Sequence, residues 1–234
     1  MTDEETRIEA QAFEFVRSNK KFLLEKFCPA AICHPVTNPV SLFMAGSPGA
    51  GKTEVSKALI KKFKDIPIRI DADEIRATCP GYTGTNAHLF QKAANKGVNT
   101  LYDYALNNNI NCIVDGTFAY AGADGNIERS LKRGRRVEIW FVYQDPLRAW
   151  ELTKAREVRE TRRVSKDIFI KGFFDSRDNA RAAKGHFGER IELNILIKDY
   201  EKEDEDLRLN VPAGELDRLA DGRYSRDELQ RILL

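Results

Sequence analysis

The sequence predicts an α/β fold: a parallel five-stranded sheet with helices on both faces, preceded by an N-terminal helix and followed by a short helical tail. Three observations predict it. Short apolar runs alternate with helix-length amphipathic stretches through the middle of the chain. A glycine-rich octet, Gly46 to Thr53, stands between one such run and a helical stretch. Carboxylates (Asp71, Asp73 and Asp115) follow two further runs. In open α/β sheets ligands bind beyond those strand ends.

The elements follow in order. Phe13, Val16, Phe22 and Phe27 fall near helical spacing, with charges between them, and predict an opening helix. Pro29, Pro35 and Pro39 break it into a loop. Val40 to Ala45 is the first buried strand. The helix after the glycine turn carries Val55, Ala58, Leu59 and Phe63 on one face. Ile66 to Ile70 is the second strand, and a long helix runs from about Asn86 to Leu106. Cys112 to Val114 is the third strand. Asp124 caps a short helix that closes at Gly134. Val137 to Tyr143 is the fourth strand, Pro146 opens the next helix, and Leu193 to Ile197 is the fifth strand. The acidic run Glu201 to Asp206 reads as a solvated linker. Ser225 with Glu228 resembles a capping box that opens a last helix. The expected organisation is residues 1–39 as helix and loop, 40–200 as the catalytic body, and 201–234 as linker and tail.

Composition bounds the function. The chain has 234 residues, with 42% hydrophobic and 32% charged, which excludes disordered, collagen-like and coiled-coil classes. A net charge of +2 excludes a bulk nucleic-acid or membrane binder. No apolar run approaches the ~18 residues of a membrane span. The acidic start, Met1 to Glu5, is not a secretory signal. Four cysteines make no disulfide framework in a chain of this length, and the cytoplasm is the expected compartment.

Gly46-Ser47-Pro48-Gly49-Ala50-Gly51-Lys52-Thr53 fits the phosphate-binding pattern G-x-x-x-x-G-K-[ST] throughout. Its glycines let backbone N–H groups turn toward a phosphate, and the next helix points its positive end at the same group. Lys52 reaches the terminal phosphates of ATP or GTP, and the Thr53 hydroxyl is a ligand for Mg²⁺. Asp115, at the end of an apolar run, is the matching acid for Mg²⁺; the bland alternative is a strand-end cap. Of Asp71 and Asp73, at least one is expected to face the acceptor hydroxyl, with Asp73 preferred and a helix cap as the other role. Between Arg148 and Lys166 lies a local excess of four positive charges, including Arg156, Arg159, Arg162 and Arg163. A solvated helix face and an RNA-binding strip are alternatives. The position after the fourth strand favours a phosphate-clamping lid. Tyr82 is either a stacking residue for a base or sugar, or a turn aromatic. Cys28, Cys33 and His34 are too loosely spaced for a metal site, and His88 and His186 read as surface residues.

These pieces together resemble the zeta toxin family of P-loop kinases over roughly Val40 to Ile197. The resemblance rests on Gly46 to Thr53, on Ile70-Asp71-Ala72-Asp73-Glu74-Ile75-Arg76 with Pro80-Gly81-Tyr82, on Ile113-Val114-Asp115-Gly116-Thr117, and on Leu152-Thr153-Lys154-Ala155-Arg156. It implies phosphorylation of a nucleotide sugar, UDP-N-acetylglucosamine, at its 3′-hydroxyl by ATP. Lys52 and Thr53 then take the P-loop roles, Asp73 is the base, and Arg156 is the first clamping arginine. Arg162 or Arg163 is the second. Asp71, Asp73, Arg76, Tyr82, Asp115 and Thr117 face the acceptor by the same carry-over. The family usually has Glu before the Gly-Thr pair, where this chain has the shorter Asp115. Members are often paired with an antitoxin, so such a partner is implied as well. Two rival readings are a kinase of another small molecule or nucleic-acid end on the same scaffold, and a regulatory P-loop ATPase module.

Overall fold

Fully buried strands need apolar residues on both faces, and the β1 strand (Val40–Ala45) supplies them. Leu42 and Met44 face one side of the sheet, while Phe43 and Ala45 face the other. A computed structural model describes residues 1–199, 204–219 and 224–233. Helices α1 (Asp3–Ser18) and α2 (Lys20–Phe27) precede β1. Helix α3 (Lys52–Ile60), strand β2 (Ile68–Asp71) and helix α4 (Ala72–Arg76) come after it. A 3₁₀ turn leads into α5 (Gln91–Asn107), which is followed by β3 (Cys112–Asp115), α6 (Ala123–Leu131) and β4 (Arg136–Gln144). Then come α7 (Pro146–Glu160), α8 (Lys166–Phe187), β5 (Glu192–Asp199), β6 (Asp204–Arg208), α9 (Glu215–Leu219) and α10 (Arg226–Ile232).

The sheet order is β2-β3-β1-β4-β5-β6. The five expected strands pair in parallel, as the alternation of strands and helices requires. The structure adds a sixth, β6, antiparallel to β5 at the edge. Its first residues belong to the acidic run read as linker, whose residues Glu201 to Glu203 lie outside those described. An edge strand can carry charges on its solvent side, which hid it from a hydrophobicity reading. Two helices also differ from expectation. The first is split at Asn19 into α1 and α2. Helix α6 starts from Gly122 at φ 75°, so Asp124 sits in the first turn and does not cap it. The capping box at Ser225 and Glu228 is present.

Two features of the packing bear on the site. β1 crosses to β3 on one side and β4 on the other, so the glycine loop lies where the strand order reverses. On the other half of the sheet, Gly97 of α5 lets two helices approach. A Cβ there would stand 2.6 Å from Ile75 Cγ2 and 3.5 Å from Val16 Cγ1. Thus α1 braces α5, and α5 braces the short helix α4. Among the described residues no helix is long and apolar enough to cross a membrane.

Behind the sheet, the buried Arg135 guanidinium donates to Ser41 Oγ at 2.7 Å, to the Ile110 carbonyl at 2.6 Å and to the Val40 carbonyl at 2.9 Å. It ties the entry of β1 to the entry of β3. Arg135→Ala would remove this donor from the Ile110 and Val40 carbonyls, while Ser41 Oγ would keep Ser130 Oγ at 2.8 Å. We expect a loss of about 3 kcal/mol, read as a lowered urea midpoint with an unchanged slope.

Candidate active site

The glycine loop is shaped by contacts that leave no room for side chains. Gly46 has φ 134°, and a Cβ there would fall 2.3 Å from the Val142 carbonyl oxygen. Gly49 has φ 74°, and its Cβ would fall 2.0 Å from the Ala149 carbonyl oxygen of α7. Both conformations favour glycine. The Gly46 N–H donates to the Thr117 carbonyl at 3.2 Å, which binds the loop to the end of β3. Pro48 abuts Gly172 of α8, and Ser47 and Ala50 are buried. Gly51 caps α3 without a side chain, at φ 87°. The first turn of α3 therefore has N–H groups to offer an anion.

Lys52 donates from Nζ to the Ser47 carbonyl at 2.6 Å and so arches over the loop. Burial pulls its pKa down to about 8, although the nearby Asp115, Asp71 and Asp73 carboxylates favour the charge and Arg156 opposes it. These groups therefore share one electrostatic neighbourhood.

Strand register places the acids. Asp71 and Asp115 are opposite one another at the ends of β2 and β3. Asp71 caps α4, its Oδ1 accepting from the Asp73 N–H at 2.8 Å. Burial first, then Asp115 and Asp73, push its carboxyl up against the pull of Arg69. Asp115 Oδ2 accepts from Ser56 Oγ at 2.7 Å and from Arg69 Nη2 at 2.7 Å. Arg69 also donates to Asp71 Oδ2 at 2.6 Å. Burial works against the Arg69 charge, but Asp115 and Asp71 outweigh it and hold the guanidinium protonated more firmly than usual.

Asp73 is the acid that faces the arginines. Arg76 donates to its Oδ1 and Arg162 to its Oδ2, while Arg156 Nη2 lies 3.8 Å from Oδ2. Arg76 is itself buried and bonds Gln91 Oε1 with its other terminal nitrogen. Of the two arginines left open by sequence, Arg162 reaches the site. Arg163 is 83% exposed and stands 3.7 Å from Glu157. The segment carrying Arg162 is tied across the cleft, because Thr161 Oγ1 donates to the Thr83 carbonyl at 2.9 Å. Tyr82 packs edge-on against Phe90, with ring centres 5.4 Å apart, and contributes to the core beneath that loop. Thr117 has its carbonyl on Gly46, and its Oγ1 accepts from Ala119 N–H at 3.3 Å.

Arg69, Ser56 and Gln91 escaped the sequence reading. Arg69 had a visible signal: it is the one charge inside Ile68-Arg69-Ile70, on a strand where burial demands a partner. Ser56 and Gln91 carried none.

The site suits a magnesium–nucleotide complex. The Val142 and Ala149 carbonyls leave no room for a Cβ at Gly46 or Gly49, so the loop keeps the close path that leads its backbone to the open N–H groups at the start of α3. No three His, Cys, Asp or Glu side chains converge as a metal cage among the described residues.

Residues 28–208 match the zeta toxin family model. No curated protein matches the chain significantly. Among solved structures, a chain of the PezAT chromosomal toxin–antitoxin system of Streptococcus pneumoniae superimposes with a TM-score of 0.65 at 19% identity. That match covers 98% of this chain and 92% of the other. A chain of the AvrRxo1-ORF1:AvrRxo1-ORF2 crystal structure with sulphate ions gives a TM-score of 0.61 at 14% identity, over 95% and 74%. Likeness at these identities concerns the fold.

Proposed function

The chain belongs to the zeta toxin family of P-loop kinase-like phosphotransferases, and from that premise we propose that it moves the γ-phosphoryl group of ATP or GTP onto a hydroxyl of a nucleotide sugar such as UDP-N-acetylglucosamine. The observation that carries this reading is the position of Asp73, at the start of α4 and within reach of Arg76, Arg156 and Arg162, in the same charged neighbourhood as Lys52.

Each residue has a role under this reading. The glycine loop and Lys52 hold the β- and γ-phosphates. Thr53 and Asp115 would hold Mg²⁺, which would offset the negative charge of the phosphates when bound. Asp73 orients the acceptor hydroxyl and takes its proton. Arg76, anchored on Gln91, holds the Asp73 carboxylate in place through Oδ1. Arg156 and Arg162 stabilise the charge spread over the transferring group. Arg162 bonds Asp73 directly, so it exchanges that carboxylate for a phosphate when both substrates are bound. Asp71 and Arg69 hold the acid cluster in place. A protein partner that restrains the activity belongs to the same reading, since the PezAT neighbour is described as a toxin–antitoxin system.

The test is mass spectrometry of a UDP-sugar panel after incubation with ATP and Mg²⁺. A monophosphorylated UDP-sugar is the expected product. ATP turnover with no phosphorylated acceptor would favour the ATPase-module reading, and a product from a non-nucleotide alcohol would favour a kinase of another small molecule.

Asp115 gives a separate check. Asp115→Asn should raise the Mg²⁺ concentration for half-maximal activity by about tenfold, because a charged ligand becomes a neutral one. Asp115→Glu should change acceptor choice more than the KM for ATP. Unaltered profiles for both would make Asp115 a partner of Arg69 and Ser56 only.

A further inference from the structure

Helix α10 lies beyond the family-matched segment, which ends at residue 208. It nevertheless packs on the arginine-bearing part of the site. Leu229 and Leu233 are buried in a cluster of their own with Ala149 and Trp150 of α7, Phe169, Ile170 and Phe174 of α8, and Val164. This cluster is separate from the two that line the sheet. Val164 is two residues from Arg162, in the connection between α7 and α8.

Polar contacts fix α10 and the residues just before it at three places. Tyr224 donates from its hydroxyl to Asp145 Oδ2 at 3.2 Å, and Asp145 is the cap that starts α7. Arg226 Nη2 pairs with Asp175 Oδ1 of α8 at 2.6 Å, with its guanidinium 4.7 Å from the Phe174 ring centre. At the start of α8, Lys166 donates to the Gln230 carbonyl at 3.3 Å, and Gln230 donates to Asp167 Oδ1 at 3.2 Å. The tail therefore spans the beginning of α7 and the beginning of α8. Residues 161–165 run between those helices and have Val164 as their only buried side chain.

We propose that α10 is a strap that sets the position of the arginine lid, with Leu229 and Leu233 acting as positioning residues for Arg162 through Val164 and Phe169. The proposal rests on the phosphotransferase reading for its kinetic consequence. Its structural content does not depend on that reading. A lid that must release Asp73 and engage phosphate needs a fixed hinge, since small misplacements of a clamping group carry large losses in rate. The lid is held on its cleft side by the Thr161 bond to the Thr83 carbonyl and by the Arg162 bond to Asp73, and Val164 is what it buries. Arg162 is partly exposed, and Thr161 and Arg163 are exposed. The tail adds Leu229 and Leu233 to the buried α7–α8 cluster that anchors Val164.

A double-mutant cycle with Leu229→Ser and Arg162→Ala tests the strap. Alone, Leu229→Ser should lower kcat about tenfold and change the KM for ATP less than twofold, because the glycine loop is untouched. In the Arg162→Ala background the same substitution should change kcat less than twofold, since the two act as one unit. Multiplicative losses would show that Leu229 serves only general stability and would overturn the proposal. If Leu229→Ser does not fold, the same cycle is run with Tyr224→Phe combined with Arg226→Ala, where the same two outcomes decide. Amide hydrogen exchange gives a readout that needs no acceptor. Faster exchange at residues 162–166, with β1 and β4 unchanged, is expected for the tail variant. Unchanged exchange there refutes the strap even if the wild-type protein phosphorylates no UDP-sugar, and that latter result would count against the proposed function alone.

Discussion

Lys52→Ala is expected to remove phosphoryl transfer by about 10³-fold, at the upper end for loss of a single preorganised donor, and to leave the fold in place. The side chain supplies charge over the loop and one bond to the Ser47 carbonyl, with no part in an apolar cluster. Circular dichroism and the thermal midpoint of the variant should match wild type within a few degrees. The lysine also predicts a pH dependence. Its free-protein pKa is about 8, lowered by burial, so kcat/KM for ATP should fall as pH rises through 8. Bound phosphate raises that pKa, so kcat should hold to higher pH. For stability the sign is opposite. Between about 8 and the ordinary lysine value the unfolded chain binds the extra proton, so folding gains stability as pH rises through that window. Lys52→Ala should lose both effects. Wild-type turnover in the variant would remove the loop from the chemistry.

How much of this was legible follows from where the information lies. The five parallel strands were readable because each is a short apolar run, and burial on both faces enforces that pattern. Strand β6 was not, because an edge strand needs no such run. The 22-residue helix α8 was also missed, although Phe169, Ile170, Phe173 and Phe174 recur at helical spacing and Ser165 caps it. Its Gly172 looks like a breaker, yet it is the residue that lets α8 touch Pro48 of the glycine loop.

In the site, local motifs were readable and cross-strand pairings were not. The octet Gly46 to Thr53 carries its own backbone logic, and so do the Asp71 cap and Asp73 two residues on. The bonds of Arg69 to Asp115 and of Ser56 to Asp115 join residues 46 and 59 apart in sequence. Only register makes them neighbours. Likewise Arg162, and not Arg163, lies against Asp73, just after the turn at Thr161 whose φ of 57° ends α7.

Asp73→Asn should keep ATP binding and lose transfer by about 10²- to 10⁴-fold, the range for removal of a general base. The amide is nearly the same shape, so the start of α4 should hold, but it cannot take a proton from the acceptor. The variant also leaves Arg76, Arg156 and Arg162 without the carboxylate they share. An arginine cluster freed of its anion attracts phosphate more strongly, so the KM for ATP should stay level or fall while kcat collapses. That split separates the base from a residue that merely positions the lid. The companion variant is Asp71→Asn. An asparagine still caps α4, and Arg69 keeps Asp115 and Glu74, so a loss of less than about tenfold is expected. The two variants measured side by side on the UDP-sugar panel decide the assignment. If Asp71→Asn is the dead enzyme and Asp73→Asn turns over, the proton goes to Asp71, and the ring of arginines around Asp73 is a structural ion-pair network at the foot of the lid.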